Sequence, residues 1–226
     1  MGMTNAPVQD DDVPPGWVSH ALTPDYARAA RADIDLDLSA VPVCHDGLRL
    51  TPAGHQLLGW WFDARGDNPM PLPADVSPKR LRQLLPYIRY MSWDGPEELL
   101  IRVFGSALAE GIGIDLTGTR MFAGAYNGRD LDIARMKMLH EVPCGGIMIR
   151  DLPDMSGDMH PCELVTLPVA AGEDGAPRLI GTVMPTKAPD TIWTRKVDYA
   201  GDISLRRATF IDLGSGLPDR SSGLFL

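Results

Sequence analysis

Apolar side chains recur along this chain with two different periods. Over residues 99–104, Leu99, Ile101 and Val103 alternate with Leu100, Arg102 and Phe104, a period of two that predicts a strand with one wholly apolar face. Gly105 ends it. Residues 87–93 read as its antiparallel partner across Asp94-Gly95-Pro96, a strong turn sequence. Further on, residues 147–150, 163–170 and 179–184 alternate or run apolar, and Glu173-Asp174-Gly175 marks the turn between the last two. Helical spacing fills the gaps. Thr51-Pro52 sets a cap before a proline at the first helical position, after which Leu57, Leu58 and Trp61 share a stripe with Trp60 and Phe62 beside it. Ser77-Pro78 opens a second helix, in which Val76 can staple to Leu81 before Pro86 stops it. Residues 129–141 form the longest helix of the C-terminal half, with Ile133, Met136 and His140 on one stripe and Leu131, Ala134 and Met138 on another. The predicted order is two strands, several short helices, one longer helix and three strands.

Composition narrows the partners. A chain of 226 residues that is 44% hydrophobic can bury one core of ordinary size. The formal charge is −9 and the 21 Lys and Arg residues form no long basic run, which argues against nucleic acid or an anionic membrane surface as a direct partner. No apolar run approaches the roughly 18–20 residues of a spanning helix, and the acidic, proline-rich start is unlike a secretory signal, so a cytoplasmic location is expected. Cys44, Cys144 and Cys162 are an odd set with no C-x-x-C pair, which predicts free thiols. Residues 1–22, with Asp10-Asp-Asp12 and Pro14-Pro15, read as a flexible arm. Residues 23–69 read as a helical extension and 187–226 as a tail that docks on the domain through an alternating piece at 203–213.

The stretch 99–118 also has a distinctive shape: a strand broken at Gly105, a short helix that Ser106 can cap and that ends at Gly111 and Gly113, and the turn Asp115-Leu-Thr-Gly118. It resembles the Per-Arnt-Sim (PAS) superfamily, most closely small bacterial proteins with a single PAS domain, in which an Arg-x-x-Gly strand end precedes a Gly-x-Asp-Leu-Thr-Gly turn. Arg102, Gly105, Gly113, Asp115, Leu116, Thr117 and Gly118 carry the resemblance. Leu72-Pro73 and Leu84-Leu85-Pro86 resemble the lead-in of the same group, and the likeness spans residues 70–186. It implies an α+β fold, a PAS-like five-stranded antiparallel sheet with helices on one face. It also implies a non-enzymatic sensor or regulatory protein that binds a small ligand or a protein partner in signal transduction. Alternatives are a small-molecule enzyme or carrier using the same cavity, and a ligand-free dimerisation module.

In such a fold the long helix and the sheet would enclose a cavity, with Val103, Ile133, Met136, His140, Ile147, Ile149, Val165 and Leu167 as candidate lining residues. The same positions, with Met138 and Met148 as gap-fillers, would serve equally in a dry core. His140 is the candidate haem ligand, because some haem-binding relatives place theirs on the corresponding helix; otherwise it satisfies a carbonyl near the helix end. The cysteine motif of flavin-dependent light sensors is absent, and the cofactor stays unassigned. His140, Cys144, His160 and Cys162 are metal-ligand types, but the expected pairing of 147–150 with 163–170 sets Cys144 and Cys162 about 20 Å apart, against a shared site. No hydrolase elbow, phosphate loop or dinucleotide fingerprint is present, so no enzymatic activity is expected. Arg102 is the buried-charge candidate. Leu100, Phe104 and Leu164 are expected on the outer sheet face, covered by the Trp60-Trp61-Phe62 helix in cis or by a second copy. A homodimer with Trp60 and Trp61 at its interface is the expected assembly.

Overall fold

The computed structural model describes residues 43–45, 48–186 and 204–224. Two short strands, β1 (Val43–His45) and β2 (Leu48–Leu50), pair ahead of α1 (Pro52–Arg65). The start of α1 is fixed as the sequence predicts: Thr51 caps it by accepting from the Gly54 amide, and Pro52 occupies the first helical position. A 3-10 turn at Pro73–Asp75 leads to α2 (Pro78–Leu81), which tightens into a 3-10 helix over Arg82–Tyr87. Pro86 accounts for the change of pitch, since its ring conflicts with the carbonyl four residues back, at Arg82, where φ is +42°.

All five predicted strands are present: β3 (Ile88–Trp93), β4 (Leu99–Phe104), β5 (Cys144–Pro153), β6 (Met159–Val169) and β7 (Arg178–Pro185). The alternating piece of the tail forms β8 (Leu205–Asp212), which pairs with the edge of β5. The sheet order is β4-β3-β7-β6-β5-β8, antiparallel throughout. Between β4 and β5 the chain forms α3 (Ser106–Ile112) and α4 (Arg129–Glu141). The outer edge of β4 is closed by backbone bonds from the turn after α3, with Gly118 and Met121 amides donating to Ile101 and Leu99 carbonyls at 2.8 Å each.

Helices cover both faces. On one, α1 packs Leu57, Leu58 and Trp61 against Val165, Leu167, Ile180 and Ile211. On the other, α4 packs Ile133, Met136 and Leu139 against Met148, Leu164 and Phe210. Trp61 is wholly buried, and its indole N–H donates to the Pro168 carbonyl at 2.7 Å. A buried side chain of that area contributes about 4 kcal/mol to docking α1.

One irregularity changes which residues face which layer. In the β3–β4 pair Tyr90 opposes Val103 but Met91 opposes Ile101, so Arg102 is an extra residue in a bulge. Alternation reverses beyond it. Leu99 and Ile101 lie in the α4 cluster, Phe104 rejoins that cluster, and Val103 is 42% exposed.

Candidate functional site

The strand registers align Phe104, Arg89, Gly181, Thr166, Gly146 and Phe210 in one row across all six strands, beneath α4. The two glycines leave a trough in the row. Arg89 extends into it and donates from Nη2 to Thr166 Oγ1 at 2.7 Å. A Cβ on Gly181 would stand 3.2 Å from Arg89 Nε and overlap the Val165 carbonyl. A Cβ on Gly146 would meet Leu139 of α4 at 3.3 Å. Close approach of helix to sheet therefore depends on these two positions.

The first turn of α4 adds charge. Asp132, buried, accepts from Arg150 Nη2 at 3.0 and 3.3 Å and from the Tyr126 hydroxyl at 3.3 Å, with Arg135 Nη1 at 3.6 Å. Burial and the Asp132 carboxylate push the Tyr126 phenol upward. Arg89 is pushed down to about 10 by desolvation and by the like charge of Arg150, while Asp132 pulls the other way. Beside this cluster lies a cavity of about 20 Å³ bordered by Arg135, Met136, Leu139, Gly146, Met148 and Phe210, large enough for one water. Leu224 closes it, its carbonyl accepting from Arg135 Nε at 3.1 Å.

The candidate lining residues divide between two layers. Met136 and Ile147 border the cavity, and Ile133 lies in the α4 cluster. Ile147, Val165 and Leu167 belong to the α1 cluster, and Ile149, wholly buried, shares their parity on β5. Ile149, Val165 and Leu167 do not border that cavity with Met136, because on β5 the even-numbered Gly146 and Met148 are the ones whose side of the strand faces α4. An assignment one residue out of phase inverts every side chain. Val103 leaves the core through the bulge.

His140, at the other end of α4 from Asp132, donates from Nε2 to the Arg178 carbonyl at 2.7 Å, and burial holds its pKa below the ordinary histidine value. Nε2 is thus engaged, and His140 does not border the cavity described above. Cys144 and Cys162 are free, buried thiols that burial pushes up to about 12 and about 11. His160, at the start of β6, pairs with Asp154 of the β5–β6 loop at 2.9 Å. Among the described residues no cluster of three His, Cys, Asp or Glu is placed to hold a metal. Cys44 lies in β1.

The interface candidates are also redistributed. Trp60 and Trp61 are buried within their own chain, so the aromatic helix covers the sheet in cis and these side chains are not available to a second copy. Leu100 is half-buried beside Ser92, whereas Phe104 and Leu164 face α4. Arg102 is exposed, with Nε donating to Ser92 Oγ at 2.8 Å and Nη2 3.7 Å from Asp174. The buried arginines are Arg89 and, on α4, Arg135. Sequence reasoning missed the cluster, although Asp132 and Arg135 share a helical stripe with Met136 and Leu139, and such charges on an apolar stripe signal a buried polar group.

On the α1 face, where His55 of α1 is also buried, the buried carboxylate is Glu163, wholly enclosed under the helix N-terminus. It accepts from the Thr51 amide at 2.9 and 3.1 Å and from Thr51 Oγ1 at 2.5 Å. Burial pushes it up to about 7 against those hydrogen bonds. Gly54 is required there, because a Cβ would stand 2.6 Å from Glu163 Oε1.

An antiparallel six-stranded sheet with helices on its faces defines an α+β domain. A family model described as a PAS domain matches residues 49–184, more than half of the chain, and the chain belongs to that family. The match includes α1, upstream of where the sequence resemblance begins. No curated protein matches the chain in sequence. Family membership carries a sensor or regulatory role in general terms. No helix among the described residues is long and apolar enough to cross a membrane.

Proposed function

We propose that this chain is a non-enzymatic sensor or regulatory protein, which binds a small ligand between α4 and the sheet and passes the signal on by protein contact. The observation that carries this reading is the trough at the Arg89-Gly181-Thr166-Gly146 row, a polar site opened by two glycines under the helix. It favours binding over chemistry, since Asp132, the carboxylate of the site, is held by Arg150 and Tyr126 and is poorly placed to act as a base. Buried free thiols fit a cytoplasmic location. A homodimer, in this reading, uses a surface other than Trp60 and Trp61.

The test is a thermal-shift screen of small metabolites on the full chain. A ligand at about a hundred times its Kd stabilises by about 2.7 kcal/mol. Met136→Trp, which fills the space beside Gly146, is expected to remain folded by circular dichroism and to lose that stabilisation. Equal stabilisation of wild type and variant would place the site elsewhere.

A further inference from the structure

Arg89 is the least compensated charge in the α4 layer. Its side chain is 5% exposed, and of the five N–H donors of a guanidinium one is used, on Thr166 Oγ1. Nε is buried with no partner, and among the described residues no carboxylate pairs with Arg89. A buried guanidinium is ordinarily matched by a carboxylate, because desolvation without one is expensive. Here Asp132, whose charge reaches Arg89, is in contact with Arg150 and Arg135 instead.

The orphan donor is covered only by its own layer, lying over a glycine with no partner within reach. Gly181, its register neighbour, has no side chain where a Cβ would stand 3.2 Å from Nε, and Thr166 fixes the other end of the fork. A fixed guanidinium edge with a free N–H matches the geometry of a carboxylate or a phosphoryl group. We propose that Arg89 is the anchor of an oxyanion site, receiving the carboxylate or phosphoryl group of a small ligand in the trough between α4 and the sheet. This rests on the sensor reading above and names its ligand class. The space beside Gly146 holds one water, so such a group must widen the layer. The wall that yields is Leu224, whose carbonyl is held by Arg135 Nε.

The full chain is titrated with sodium phosphate and, separately, with sodium succinate, against sodium chloride at equal ionic strength, and followed by thermal unfolding and calorimetry. One of the two oxyanions is expected to raise the unfolding temperature saturably while chloride does not, and which one responds separates a phosphoryl from a carboxylate ligand. At a hundred times the Kd the folded-to-unfolded ratio rises about a hundredfold. Arg89→Met is expected to abolish the response yet unfold, without anion, at the wild-type temperature or above it, since an unmatched buried charge has been removed. Arg89→Lys keeps the charge without the fork and is expected to weaken binding at least about tenfold. If the Met variant does not fold, the Lys variant and the wild-type titration decide.

The proposal is overturned if neither oxyanion binds saturably to wild type, or if the response survives in Arg89→Met or undiminished in Arg89→Lys. A neutral metabolite that stabilises wild type but not Met136→Trp, with no oxyanion response, overturns the anion assignment and leaves the sensor reading standing.

Discussion

On one face of the sheet α1 lies on Val165, Leu167, Ile180 and Ile211 and meets an ionisable side chain, Glu163, at its N-terminus. On the other, α4 covers Met148, Leu164 and Phe210 but carries Asp132 and Arg135 into the layer, where Arg89 and Arg150 come up from the strands. Both helices cover a sheet face, but α1 buries nine residues and α4 five, two of them charged, so the need to cover the sheet does not by itself explain the difference. The α1 face is built to stay closed, with Trp61 sealing it. The α4 face retains buried charges, a trough and a small cavity, the features on which the proposed ligand site rests.

Breaking the closed face has the largest expected effect. Trp61→Ala removes a wholly buried indole and its bond to Pro168, and is expected to destabilise by about 4 kcal/mol in denaturant unfolding. A loss under about 1 kcal/mol would show that α1 is not what holds that face. On the polar face, Asp132→Asn takes away the carboxylate that Arg150 contacts at 3.0 Å, at an expected cost of about 3 kcal/mol in the same measurement. If it were neutral, apolar contacts alone would secure α4, and the two faces would not differ in kind.

Glu163 sharpens the contrast through pH. Its folded pKa, about 7, lies above the unfolded 4.5, so the folded state holds a proton that the unfolded chain has released. Stability is therefore full below about pH 4.5, falls as pH rises through the window to 7, and is level beyond it, with a drop of about 3 kcal/mol. Glu163→Gln is expected to flatten this slope, as read from urea midpoints at pH 5 and 8. An unchanged slope would assign it to other groups. The smallest effect is expected at His140→Phe, which removes one hydrogen bond to the Arg178 carbonyl and costs about 1 kcal/mol by the same urea midpoints. A much greater loss would give His140 a role beyond satisfying a carbonyl.

Strand positions and helix starts were legible because their causes are local. Asp94-Gly95-Pro96 and Gly105 bracket β4, and Thr51-Pro52 begins α1 at the expected place. Gly105 also has a long-range role, since a Cβ there would overlap the Pro86 carbonyl. Facing was not legible in the same way. A bulge at Arg102 depends on a partner strand, and with period-two alternation a single extra residue exchanges Val103 for Phe104 in the core. The same ambiguity sent Ile147 and Val165 to α4 on paper, when α1 takes them. The site was hidden for a related reason: Arg89, Gly181, Thr166 and Gly146 are scattered in sequence, and only the register aligns them. Arg102 attracted attention as a lone charge among apolar neighbours, yet it lies outside, and on the next strand it is Arg89 that is buried.

The anchoring of α1 sets an order of events during synthesis. Trp61 waits for Pro168, 107 positions later, and Thr51 for Glu163, 112 positions later. At about 5–20 residues per second, the aromatic stripe is made roughly 5 to 20 seconds before its cover exists. During that interval the nascent chain displays Leu57, Leu58 and Trp61 to whatever is nearby, so chains halted before β6 should be sticky and yields of intact protein should rise when chaperones attend the ribosome.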